Sequence, residues 1–61
     1  MPVVNIQLLE GRSVEQKAKI AKAVTDILVE IGGARPEAVT VIFSDIKKSD
    51  LAVGGKLASE K

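Results

Sequence analysis

Cysteine, histidine, tryptophan and tyrosine are all missing from this chain, and phenylalanine occurs once, at Phe43. Without cysteine there is no disulfide and no thiol nucleophile. Without histidine there is no imidazole base, and a metal site would have to be built from carboxylates alone. A single aromatic ring is too few for the stacking platforms on which single-stranded nucleic acids lie. An excess of one charge is lacking too: nine basic residues against eight acidic ones leave a formal net charge of +1, too little to neutralise a phosphate backbone. No apolar run reaches the ~20 residues of a membrane-spanning helix, and no charged-then-apolar leader opens the chain. These absences predict a cytoplasmic protein that binds neither nucleic acid nor membrane.

Bulk is lacking as well. Sixty-one residues make one domain, 1–61, and a domain that small buries only about 60% of its unfolded surface. Such domains lean on disulfides, metals or assembly. Here disulfides are excluded and metals are starved of ligands, so assembly is left. A hydrophobic content of 46% is generous for so short a chain and predicts apolar surface buried against further copies.

What is present begins with a strand from Val3 to Leu9, in which Val4, Ile6 and Leu8 alternate with Asn5 and Gln7. Val3 and Leu9 leave its second face only partly polar, so both faces are expected to be covered. Glu10-Gly11-Arg12 breaks the alternation. Ser13-Val14-Glu15-Gln16 has the form of a capping box, which starts a helix at Val14. Val14, Ala18, Ala21, Val24, Leu28 and Ile31, widened by Ile20 and Ile27, predict the face turned to the sheet, while Glu15, Lys19, Lys22, Asp26 and Glu30 take the solvent side. Glu15 and Lys19 are spaced for an ion pair, and Gly32-Gly33 ends the helix. Pro36-Glu37-Ala38 fits one helical turn. Val39, Val41 and Phe43, alternating with Thr40 and Ser44, predict a second strand. Strand, helix and strand then form one right-handed crossover with parallel strands. Lys47-Lys48-Ser49-Asp50 reads as a solvated connection and Leu51 to Leu57 as a short hairpin turning at Gly54-Gly55. An isolated hairpin is marginal in water, so it is expected on a neighbouring subunit. The predicted class is α/β (α+β), a β-α-β subunit with a short carboxyl-terminal hairpin.

With the usual bases absent, the chain start offers one. Removal of Met1, usual before a small residue, would give Pro2 a free secondary amine. An α-amino group titrates at about 8. An apolar surround from Leu9, Leu51 and Val53, with Arg12 nearby, would favour its neutral form. Arg12 stands at the mouth of the Val14 helix, where guanidinium and positive helix end would hold a carboxylate together. The competing reading pairs Arg12 with Glu10 or with a neighbour's acid. Pro2 and Arg12 lie at opposite ends of the strand, roughly 30 Å apart at ~3.3 Å per residue. One subunit does not bring both to one small substrate.

Pro2 with the alternating apolar residues after it, Leu9-Glu10-Gly11-Arg12-Ser13, Glu15-Gln16-Lys17 and Val53-Gly54-Gly55-Lys56-Leu57-Ala58 together resemble the 4-oxalocrotonate tautomerase family of the tautomerase superfamily, over nearly the whole chain. The resemblance implies β-α-β subunits paired into dimers with a four-stranded sheet, and three dimers in a hexamer. It also implies an isomerase of aromatic compound catabolism that needs no metal or organic cofactor. Its amino-terminal proline moves a proton between carbons of a small enol or 2-keto carboxylate. Carried over, Pro2 is the general acid/base and Arg12, from a neighbouring subunit, binds the substrate carboxylate. Leu51 takes the place of the family's active-site phenylalanine. Thr40 takes that of its second arginine, which polarises the substrate carbonyl. The arginine's absence keeps two alternatives in view: a non-catalytic or paralogous partner subunit of a hexamer, and a carboxylate-binding protein without turnover.

Overall fold

Strands β1 (Val3–Leu9) and β2 (Thr40–Ile46) lie side by side and parallel in the computed structural model, which describes residues 1–60. Lys61, included in the expected domain, lies outside the described residues. The register runs from Val3 opposite Thr40 to Leu9 opposite Ile46. Helix α1 (Val14–Glu30) makes the crossover, as the alternation of strand and helix periods requires. The second strand runs two residues beyond the predicted Ser44, to Ile46, because β1 offers backbone partners over its whole length and Glu10 N–H still reaches the Ile46 carbonyl at 2.9 Å.

The helix is delimited as its sequence dictates. Gln16 N–H donates to Ser13 Oγ at 3.1 Å and Ser13 N–H to Gln16 Oε1 at 3.0 Å, completing the capping box. At the other end Gly33 adopts φ 70°, in the left-handed region, and Ala34 N–H closes on the Leu28 carbonyl at 3.2 Å. Pro36–Ala38 forms the expected single turn, of 3-10 type. A second 3-10 turn, Lys48–Asp50, occupies the polar connection. Strands β3 (Ala52–Val53) and β4 (Lys56–Leu57) form the antiparallel hairpin. Its two central residues, Gly54 and Gly55, have φ of 61° and 84°, the pair of left-handed conformations that a tight primed turn needs.

Two expectations fail in detail. The half-buried helix positions are Lys17, Ile20, Ala21, Val24, Thr25, Leu28 and Val29, whereas Val14 and Ile31 are each 83% exposed and Ile27 56%. Val14 and Ile31 sit at the helix ends, and Ile27 points about 100° round from Leu28, past the edge of a sheet only two strands wide. The Glu15–Lys19 ion pair is absent among the described residues. The pair that forms one turn later is Lys22–Asp26, at 2.8 Å, and that hydrogen bond, with the Asp26 charge, raises the Lys22 ammonium above its usual pKa. Within the single chain one face of the sheet is covered, and the second is left open for the further copies that the sequence leads one to expect. Val4, Ile6, Leu8, Val41 and Phe43 are half-buried, while Val3, Asn5, Gln7, Thr40, Ile42 and Ser44 are exposed.

No described residue is fully buried. The accessible surface is 4746 Å², against about 3,800 Å² for a compact monomer of this mass. The radius of gyration is 14.5 Å, against about 10.5 Å for a compact domain of this length. With a thickness of 14 Å along its shortest axis, the single chain is flat and does not close a core of its own. No helix among the described residues is long and apolar enough to cross a membrane.

Candidate active site

Pro2 sits at the amino end of β1, held there by the Thr40 backbone N–H, which donates to its carbonyl at 3.0 Å. It is half-buried, whereas Met1 before it is 95% exposed. The first strand bond therefore fixes Pro2 relative to β2 and leaves Met1 projecting. The residue that supplies this bond is uncharged, exposed, and opposite Val3 in the register.

The other end of the sheet carries the corner from Leu9 to Ser13. Glu10 is engaged twice: its N–H donates to Ile46 O at 2.9 Å, and its carboxylate accepts from Lys48 N–H at 3.4 Å. Glu10 is thus turned to the backbone of the β2 exit and makes no ion pair with Arg12. Arg12 itself is exposed, with one long contact from Nη1 to the Leu9 carbonyl at 3.5 Å and no ion-pair partner among the described residues. A guanidinium without an anion stands beside the first turn of α1. There the capping box uses the Gln16 N–H and leaves the Val14 and Glu15 amides outside any intrahelical bond.

Leu51 is half-buried, and its carbonyl accepts from Ala58 N–H at 2.8 Å, which pins the base of the hairpin. The segment leading to it begins at the Arg12 end, where Lys48 meets Glu10. Val53, on the hairpin, is 71% exposed. Leu9 lies at the far end of β1 from Pro2, so the apolar surround expected of Pro2 does not form within one chain. Pro2 and Thr40 are brought together; Pro2 and Arg12 are not. The described residues enclose no pocket, and no group of three or more of them offers a carboxylate cage for a metal.

One feature of this end escaped the sequence reading. Lys17 Nζ and Asp45 Oδ1 form an ion pair at 2.8 Å between α1 and β2, with the Lys17 side chain only 23% exposed. The signal was present. Lys17 falls on the sheet-facing side of the helix and Asp45 on the same strand parity as Val41 and Phe43, so each charge interrupts an apolar pattern, and the two are of opposite sign.

What the arrangement offers chemically is an exposed guanidinium, that of Arg12, at one end of the sheet and Pro2 at the other. Comparison with known proteins supplies the context. The profile of the Tautomerase family, described as tautomerase enzyme, matches residues 2–61. A relative from Lactococcus lactis subsp. lactis, named probable tautomerase, is 44% identical over 61 residues and the match covers 100% of both chains. A structure from a study of the 4-oxalocrotonate tautomerase isozymes of Methylibium petroleiphilum superposes with a TM-score of 0.93 at 32% identity, covering 97% of this chain and 92% of that one. Another, from a heterohexamer 4-oxalocrotonate tautomerase of Chloroflexus aurantiacus, superposes with a TM-score of 0.91 at 32% identity, covering 98% and 97%. A profile that begins at Pro2, a relative aligned end to end and a shared β-α-β frame agree: this chain belongs to the tautomerase family, whose members are isomerases.

Proposed function

We propose that this chain, once Met1 is removed, is a tautomerase acting on a small enol or 2-keto carboxylate, with Pro2 as general acid/base and with neither metal nor organic cofactor. The secondary amine takes the proton of the enol hydroxyl as the C2 carbonyl forms. The ammonium then delivers that proton to the carbon that receives the electron pair, so the reaction is a net transfer from oxygen to carbon. Arg12 of a neighbouring subunit holds the substrate carboxylate, and Leu51 forms part of the apolar wall that keeps the amine neutral. A cytoplasmic setting and a role in aromatic compound catabolism belong to the same proposal.

The observation that carries this reading is the unpaired Arg12 guanidinium at the start of α1, in a chain whose base candidate is tied to the opposite end of the sheet. Such a division calls for a dimer or hexamer in which one chain's Pro2 end meets another's Arg12 end. The test is turnover of a simple 2-hydroxy-enol monocarboxylate by protein whose intact mass shows Met1 absent. Processed protein should ketonise it well above buffer, and Pro2→Ala should not. Equal rates from both, or activity that survives with Met1 in place, would rule the proline mechanism out.

A second reading is favoured by Thr40. Thr40, whose backbone N–H donates to the Pro2 carbonyl, stands where the family resemblance puts an arginine, and one structural relative is a heterohexamer. On that reading this chain is a partner subunit, or a carboxylate-binding one, and a paralogue supplies the missing charge. Turnover by the purified chain alone separates the two.

A further inference from the structure

We infer that Lys17 and Asp45 are positioning residues for the Arg12 carboxylate site; the inference rests on the reading of Arg12 given above. Every residue from Glu10 to Gln16 is exposed, and the first helix residue with a half-buried side chain is Lys17. Between Leu9 and Ile20, therefore, no half-buried apolar side chain anchors the segment that carries Arg12. Its place relative to the sheet is set on one side by the Glu10 N–H to Ile46 O bond, at 2.9 Å, and on the other by the Lys17–Asp45 pair, at 2.8 Å. Lys17 is also the residue whose N–H closes the first turn on the Ser13 carbonyl, at 3.1 Å, so its side chain and its backbone act on the same turn. Asp45 lies opposite Leu8 in the register, one residue before the Ile46 carbonyl that holds Glu10. The two fastenings are thus neighbours on β2, and together they clamp both flanks of the Gly11-Arg12-Ser13 segment.

An ion pair in this role differs from one that adds only stability. A pair in which one side chain, here that of Asp45, stays half in solvent contributes modestly to folding, but displacement of a positioning group by about 1 Å can cost on the order of a hundredfold in rate. Loss of the pair should therefore appear in substrate binding out of proportion to its effect on unfolding.

The experiment uses the methionine-processed assembly and compares Lys17→Met, Asp45→Asn and the reversed pair K17D/D45K, with Arg12→Ala as reference. Each is assayed for kcat and KM on a 2-hydroxy-enol monocarboxylate and for inhibition by pyruvate. Each single variant should raise KM and the pyruvate inhibition constant about five- to tenfold, with kcat changed less than about twofold. The reversed pair should recover most of the loss. Only two arginines occur, Arg12 and Arg35, so the side-chain Nε–H resonances give a readout independent of turnover. In Asp45→Asn, the mildest change, the Arg12 signal should shift while that of Arg35 stays. Unchanged KM and an unmoved Arg12 resonance in Asp45→Asn, with Arg12→Ala still weakening binding, would overturn the inference. Unchanged KM in Arg12→Ala would instead overturn the reading on which it stands.

Discussion

Thr40 gives its backbone N–H to the Pro2 carbonyl, so whatever side chain occupies position 40 leaves the backbone beside the proposed base. A threonine hydroxyl there donates a neutral hydrogen bond, about half as strong as one from a charged donor. The site is therefore expected to handle monocarboxylates in preference to dicarboxylates. Thr40→Arg should raise kcat/KM toward a dicarboxylate enol about tenfold or more and raise it less for a monocarboxylate, since a guanidinium can pair with the second carboxylate that a monocarboxylate lacks. Parallel steady-state assays on the two substrates check this; an equal gain on both would mean that position 40 does not discriminate between them. Which residues are candidates for chemistry is legible only in part: the absence of cysteine and histidine narrows the bases, and the resemblance to a family, not elimination, points to Pro2 and Arg12. How they would meet is not legible, because on the proposed reading the surround of Pro2 is completed by another chain, and one chain's sequence does not name its partners.

The elements were more legible than the site. β1, the capping box, the glycine stop of α1 and the Gly54-Gly55 hairpin each rest on residues within a few positions of one another, so local rules suffice. The prediction that follows for α1 is a local one as well. Ser13→Ala removes the acceptor of the Gln16 N–H and should lower stability by about 1 kcal/mol, seen as a drop in melting temperature at fixed protein concentration. An unchanged melting temperature would mean that the cap adds nothing once subunits associate. Misreadings occurred where an element meets something distant. The apolar stripe extrapolated along α1 overran the narrow sheet at Val14 and Ile31. Lys19 was paired with Glu15 by spacing, although Lys22–Asp26 is the pair that forms. β2 continued to Ile46 because its partner strand did. Lys17–Asp45 spans helix and strand, and no window along the chain contains both.

Taken whole, the molecule is short of a core. With no described residue fully buried, Val3, Ile42 and Val53 exposed, and a radius of gyration well above that of a compact domain of this length, the proposed assembly would supply the remaining apolar burial from other subunits. Sedimentation should show a species several times the 6.4 kDa chain mass across the micromolar range. A cooperative, folded monomer there would contradict the assembly. On the proposed function the same assembly completes the site, which makes mixing of defective subunits the sharpest test. Pro2→Ala retains Arg12 and Arg12→Ala retains Pro2, and each alone should show little turnover below saturation. Unfolded together in equal amounts and refolded, they should recover about a quarter of the wild-type activity, the fraction of sites that random assembly furnishes with one intact residue of each kind. Activity no greater than the average of the two parents, in mixed oligomers of the correct mass, would show that Pro2 and Arg12 do not meet across a subunit boundary.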